Sequence, residues 1–182
     1  MSPNGSKAEI KGKVSFVDVS FRYPGTQVFV LRHISFEMEQ GKRFGVTGAS
    51  GSGKSSLAQL LLRFYDPQKG KVLIDDVDIS SYNVRHLRES ISYVGQEPVL
   101  FSGSVRNNVD FGFGKSGEEI RQALLAAHVP HFFDKLDHKV GFRGGRVSGG
   151  RKQRLAIARA IIRNPTSLST RGPNSKSSRR LR

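Results

Sequence analysis

The chain of 182 residues is long enough for one domain with a sizeable core, alone or with a short appendage. It contains no cysteine, which excludes disulfides, thiolate metal sites and cysteine nucleophiles. Its longest apolar runs, such as residues 123–127 or 28–31, fall far short of the ~20 residues a membrane-spanning helix needs. The formal net charge of +15 points to an anionic partner, but its distribution argues otherwise. All 15 acidic residues lie at or before Asp137, whereas 13 of the 30 Lys and Arg lie beyond it, so the excess belongs to the C-terminal quarter.

In chain order, residues 1–12 mix Ser, Lys, Glu and Gly without the apolar stretch of a secretory signal and are expected to be flexible. Residues 13–21 alternate Val14, Phe16, Val17, Val19 and Phe21 with Ser15, Asp18 and Ser20, and residues 28–38 repeat the pattern. This predicts two antiparallel strands joined through Tyr23, Pro24 and Gly25. Residues 42–47 predict a short strand leading into a glycine-rich loop. Residues 56–65 then carry Leu57, Leu60, Leu61 and Phe64 at the spacing of a helix buried on one face. Residues 71–80 read as a hairpin turning near Asp75 and Asp76, residues 90–94 as a strand, and residues 117–136 as largely helical with a kink at Pro130. Ser148, Gly149 and Gly150 open a helix running to about Arg163, which Asn164 and Pro165 end. Residues 166–182 are rich in Ser and Arg and hold only two leucines, too little apolar surface to offset ordering, so a disordered basic tail is expected. The fold class is α/β.

The strongest chemical signal is Gly48-Ala49-Ser50-Gly51-Ser52-Gly53-Lys54-Ser55, followed by Ser56. Glycines let successive backbone N–H groups turn inward on phosphate oxygens, and the following helix adds its positive end. Lys54 neutralises charge, and Ser55 supplies a hydroxyl to Mg²⁺. A glycine-rich turn that binds nothing is the competing reading, but strand before and helix after is the context a phosphate loop requires.

A second run, Val147-Ser148-Gly149-Gly150-Arg151-Lys152-Gln153-Arg154 with Leu155-Ala156-Ile157-Ala158-Arg159-Ala160, resembles the signature and signature helix of ABC transporter ATPases. The stretch Tyr93-Val94-Gly95-Gln96-Glu97-Pro98-Val99-Leu100-Phe101 is similar to multidrug-resistance exporters of the P-glycoprotein type. The resemblance spans residues 12–165. It implies a P-loop core with an N-terminal antiparallel β subdomain and a helical insert over about residues 98–145. It further implies ATP and Mg²⁺ as ligands, a transmembrane domain and a second nucleotide-binding domain as partners, and a place at the cytoplasmic face of a membrane. By the same resemblance Tyr23 stacks on adenine and residues 48 and 50–56 line the phosphates. Ser55 and Gln96 reach Mg²⁺, and Ser148, Gly149 and Gly150 cap the ATP held by the second domain.

Three departures qualify the match. Arg151 stands where the family has Gln, and Phe142 where exporters have Glu, in the loop at residues 140–144 that faces the transmembrane partner. After Pro165 the family continues with a buried apolar strand ending in Asp and Glu, and later a histidine. Here Thr166-Ser167-Leu168-Ser169-Thr170-Arg171 follow. The aspartate and glutamate hold Mg²⁺ and polarise water in phosphoryl transfer. The expectation is a nucleotide-binding domain that lacks its C-terminal part, has an incomplete central sheet, binds ATP weakly and does not hydrolyse it. Its tail reads out of frame with the family. The alternative is a basic nucleic-acid-binding protein, against which stands the last aromatic at Phe142, leaving the tail without a stacking platform.

Overall fold

The computed structural model describes residues 5–165 and 167–170. Two units divide the chain, Met1–Ile91 and Ser92–Arg182. In the first, the alternating segments build an antiparallel sheet in which β1 (Val14–Phe21) lies between β2 (Leu31–Met38) and β3 (Lys69–Ile74), with β4 (Val77–Asp78) beyond β3. Val14 faces Met38 and Ile74, and Phe16 faces Phe36 and Val72. Both ladders of β1 shift register near Asp18, whose φ of 48° marks a bulge. That extra residue breaks the simple alternation, so Val17 and Asp18 are exposed while Val19 and Phe21 are fully buried. The buried Ser15 and Ser20 are satisfied. Ser15 donates to Glu37, and Ser20 accepts the His33 N–H.

Asp75 and Asp76, both left-handed at φ 52° and 63°, make the two-residue turn between β3 and β4. The Asp75 carboxylate also accepts the backbone N–H groups of Lys11 (2.6 Å), Gly12 (3.1 Å) and Lys13 (3.0 Å). With Ile10 buried and Ser6 bridged to Tyr82, residues 5–12 are held against the sheet rather than left flexible. Residues 1–4 of the expected flexible stretch lie outside the described residues. α1 (Lys54–Leu61) buries Ser56, Leu60 and Leu61, and a left-handed Arg63 at φ 50° follows its end, short of the expected residue 65. α2 (Val84–Ser90), a helix not expected from the sequence, begins at Asn83, whose side chain accepts the N–H groups of Arg85 and His86.

The expected strand at residues 42–47 is not one. These residues join no ladder, and Phe44 and Val46 are 48% and 46% exposed. A strand exists only through its neighbours, and among the described residues none runs beside this segment.

In the second unit, β5 (Ile91–Val94) pairs with β6 (Ser167–Thr170). The strand at β6 corrects the expectation of disorder for that part of residues 166–182. Residues 171–182 lie outside the described residues. α3 (Val105–Asp110), α4 (Gly117–Ala126) and α5 (Gly149–Ile161) pack around Leu100, Val105, Ile120, Leu124, Phe132 and Leu155. The helix expected over residues 117–136 stops at Ala126, and Pro130–Phe132 form a separate 3-10 turn. Half-buried Arg159 of α5 donates to Asn108 O (2.7 Å), Asn108 Oδ1 (2.9 Å) and Val99 O (3.2 Å), with its guanidinium over the rings of Phe101 and Phe111. Burial lowers its pKa from the ordinary arginine value.

α4 opens with a reciprocal cap. Ser116 Oγ accepts the Glu119 N–H (3.2 Å), and Glu119 Oε2 accepts the Ser116 N–H (2.8 Å). The Ser116 N–H, then the Lys115 ammonium, hold the Glu119 carboxyl down at about 2. Because its pKa is depressed on folding, this carboxylate stabilises the fold fully above its ordinary value of 4.5 and loses that contribution as pH falls toward about 2. Glu119→Gln keeps the shape without the charge. Its stability deficit, followed by chemical denaturation, is expected to be constant above pH ~4.5 and to close toward pH ~2.

Candidate phosphate site

The loop before α1 is shaped by left-handed glycines. At Gly53, φ is 87°, and a Cβ there would sit 2.7 Å from Leu31 Cδ2 and 3.1 Å from Val30 O, so both conformation and space demand glycine. Lys54 folds back into the loop and donates to Gly48 O (2.7 Å) and Ala49 O (2.6 Å), with Ser52 Oγ at 3.4 Å. The ammonium therefore sits at the loop's centre, where a phosphate would compete for it. No side chain caps α1, since its N-cap is Gly53. Ser50, Gly51 and Ser52 are exposed on the loop, and Ser55 is half-buried in the first turn. Beside them opens a cleft of about 400 Å³, walled by Leu31, Phe36, Phe44, Val46 and Leu57.

α5 opens in a related way. Its N-cap Ser148 is extended and its hydroxyl makes no capping bond. By contrast α2, α3 and α4 start at Asn83, Ser104 and Ser116, each accepting N–H groups of its own first turn. Among the described residues, the two α-helices without a side-chain cap are thus the two that open at the glycine-bearing motifs. Ser148, Gly149 and Gly150 are exposed, and a Cβ at either glycine would meet nothing within 4 Å. Packing within the chain does not require glycine there. Gln96 is exposed in the bend after β5, and Phe142 is 78% exposed in a 3-10 turn, Phe142–Gly144. Among the described residues, no three His, Asp or Glu gather as a metal cluster.

Tyr23 follows β1, half-buried, and its hydroxyl donates to Gln59 Oε1 (2.8 Å) and lies 2.8 Å from Ser56 Oγ. The Ser56 hydroxyl, expected among the phosphate ligands, is buried against Tyr23 instead of opening onto the loop. Gln59 went unnoticed in the sequence. Its position one turn after Ser56 is visible there, but its contact with a residue 36 positions away is not.

Loop and sheet together define a P-loop α/β nucleotide-binding fold. A family model described as ABC transporter matches residues 31–169. The chain is 44% identical, over 98% of its length, to ABC transporter B family member 17 of Arabidopsis thaliana, of which it covers 15%. It is 46% identical, over 86% of its length, to Multidrug resistance protein homolog 65 of Drosophila melanogaster, covering 12% of that protein. Among solved structures, a bacterial Atm1-family ABC exporter with ATP bound superposes with a TM-score of 0.87 at 38% identity, covering 93% of this chain and 30% of that one. The chain belongs to the ABC transporter family, and its relatives mark it as a nucleotide-binding domain of the multidrug-resistance exporter type. It spans only a small part of their length. No helix among the described residues is long and apolar enough to cross a membrane.

The two sets of glycines predict opposite responses. Gly53→Ala is expected to cost about 1–3 kcal/mol through strain at positive φ and the collision with Leu31. Gly150→Ala, in a helix with open space, is expected to be neutral or stabilising by up to about 1 kcal/mol. Urea denaturation of both variants checks this.

Proposed function

We propose that this chain is the ATP-binding part of an ABC-type exporter, that it holds MgATP weakly, and that it does not hydrolyse it. The observation that carries the first claim is the coincidence of uncapped helix starts with the two motifs. A first turn left without a side-chain acceptor at α1, with Lys54 inside the loop, is a standing site for phosphate. Gly48, Ser50, Gly51, Ser52, Gly53, Lys54 and Ser55 form it, Ser56 links it to Tyr23, and Tyr23 supplies the aromatic face for adenine.

Ser148, Gly149 and Gly150 suit a different task. Exposed at an uncapped helix start, with glycines that internal packing does not explain, they fit close approach by the nucleotide of a second nucleotide-binding domain. A transmembrane domain, met through Gln96 and the segment at residues 140–144, completes the partners, at the cytoplasmic face of a membrane. With Phe142 in place of an acid, that coupling contact is apolar in this chain.

The Ser55 hydroxyl and, by the family resemblance, the Gln96 amide are oxygen donors of the kind Mg²⁺ accepts, and the ion when bound would neutralise phosphate charge. Neither residue is a carboxylate, and no acidic residue follows Asp137. Lys54 and the loop can therefore bind and orient a triphosphate, but none of residues 166–182 is an Asp, Glu or His able to position water.

By calorimetry, Lys54→Ala is expected to lose a charge-assisted contact of roughly 1.5–3 kcal/mol in MgATP binding, about ten- to a hundredfold in affinity. Phosphate release by the unaltered chain should not exceed that of Lys54→Ala. Affinity indifferent to Lys54 would refute the phosphate site, and turnover abolished by Lys54→Ala would refute the lack of hydrolysis.

A further inference from the structure

Tyr23 is fixed from three sides, more tightly than a ring that merely fills space requires. Its backbone is held first. The Gln68 side chain accepts the Arg22 N–H (2.8 Å) and donates to Arg22 O (3.1 Å), substituting for a strand neighbour just before Tyr23. Just after it, the Thr26 N–H and hydroxyl both donate to Tyr23 O, at 3.1 and 2.9 Å. The ring is held next, edge-on to Phe21 at 4.9 Å and to Tyr65 at 5.3 Å between centroids. The hydroxyl is held last, at the bonds to Gln59 and Ser56. A phenol has one proton. With that proton on Gln59 Oε1, the Ser56 hydroxyl donates to the phenolic oxygen, so both groups of α1 and both roles of the phenol are used.

Ser56 and Gln59 stand on α1, whose first turn carries Lys54 and Ser55. One rigid helix thus carries the phosphate-binding end and the anchor of the aromatic ring. We infer that Gln59 is a positioning residue for the nucleoside: by holding the Tyr23 hydroxyl, it sets the ring at a fixed distance and angle from the phosphate loop, so that base and phosphates are recognised as one unit. This rests on the ATP-binding reading above. Gln59 makes no contact with the phosphate loop itself in that role, so it should act on the base end of the ligand and not on the triphosphate end. Holding a ring in its binding orientation lowers the ordering cost of stacking, and that is how a residue without ligand contact contributes affinity.

The test compares MgATP with magnesium tripolyphosphate, which has the phosphates and no base, on the full chain by calorimetry. Gln59→Ala and Tyr23→Phe are each expected to weaken MgATP binding about three- to tenfold, the scale of one neutral hydrogen bond, and to leave tripolyphosphate affinity unchanged. The double variant should lose no more than Tyr23→Phe alone, because the bond that Gln59→Ala removes is one of the two the phenol makes. Gln59→Glu keeps an oxygen to accept the phenol proton and is expected to restore MgATP affinity. Equal losses for both ligands in Gln59→Ala would mean that it acts through the phosphate loop, and would overturn the inference, as would MgATP binding indifferent to Gln59→Ala and Tyr23→Phe. If Gln59→Ala is too unstable to measure, Tyr23→Phe and Gln59→Glu decide alone: the inference predicts loss in the first and retention in the second. An unaltered chain that binds neither ligand in a Lys54-dependent way refutes the ATP-binding reading itself. A chain that binds both, with Gln59 indifferent, refutes only the positioning role.

Discussion

A helix start without a cap leaves backbone N–H groups looking for an acceptor, and that constraint organises this chain. A capping side chain contributes about 1 kcal/mol, so a helix that forgoes one needs compensation elsewhere. At α2, α3 and α4 the cap is present and local. At α1 the N-cap is a glycine, and at α5 a serine that makes no capping bond. The structure supports both openings from behind. α1 is seated by Leu60 and Leu61 in the core of the first unit, and α5 by Leu155 and Ala158 in that of the second. Packing of the apolar face stabilises these helices enough for their first turns to remain available.

In the second unit the same logic explains Arg159. A partly desolvated guanidinium with carbonyl and amide oxygens as its hydrogen-bond acceptors is costly unless those acceptors are fixed. They are: Asn108, itself buried, donates to Phe101 O and Ser104 O and accepts the Phe101 N–H. The arginine thereby ties the signature helix to α3 and to the segment at residues 99–101 that follows Gln96. Two phenylalanine faces stabilise the charge without neutralising it. The helix that carries Ser148 and Gly150 is thus oriented by a polar anchor deep in its last turns.

Legibility in the sequence followed the range of the interactions. The glycine loop, the helix after it, the hairpin at Asp75 and Asp76, and the opening of α5 are set by residues close in sequence, and all were readable. The bulge at Asp18 was not, because an alternating pattern does not reveal one extra residue in a ladder. α2 is seven residues long, too short for a convincing period, although Asn83 before Val84 and Leu87 was a usable cap signal. The strand expected at residues 42–47 failed for the opposite reason. Its residues suit a strand, but a strand depends on neighbours that composition does not show. Residues 5–12 and the Tyr23 hydroxyl were settled by contacts from 33 to 78 positions away, beyond any local reading.

β6 separates two properties that sequence reading had joined. Residues 167–170, Ser-Leu-Ser-Thr, were expected to be disordered because they offer little to bury, yet they pair with β5. Pairing uses backbone N–H and C=O groups, which every residue but proline carries, so a strand position can be occupied by side chains of the wrong chemistry. Water activation does not have that freedom, because it needs a basic side chain at a particular place. Residues 167–170 can therefore pair with β5 although none of them is one of the acids that the family resemblance implies. The phosphate loop, built almost wholly from backbone, glycine conformation and one lysine, is indifferent to that change. Recognition of a triphosphate and the chemistry done on it are in this way physically separable, since the first rests on backbone N–H groups and one cation and the second on a base.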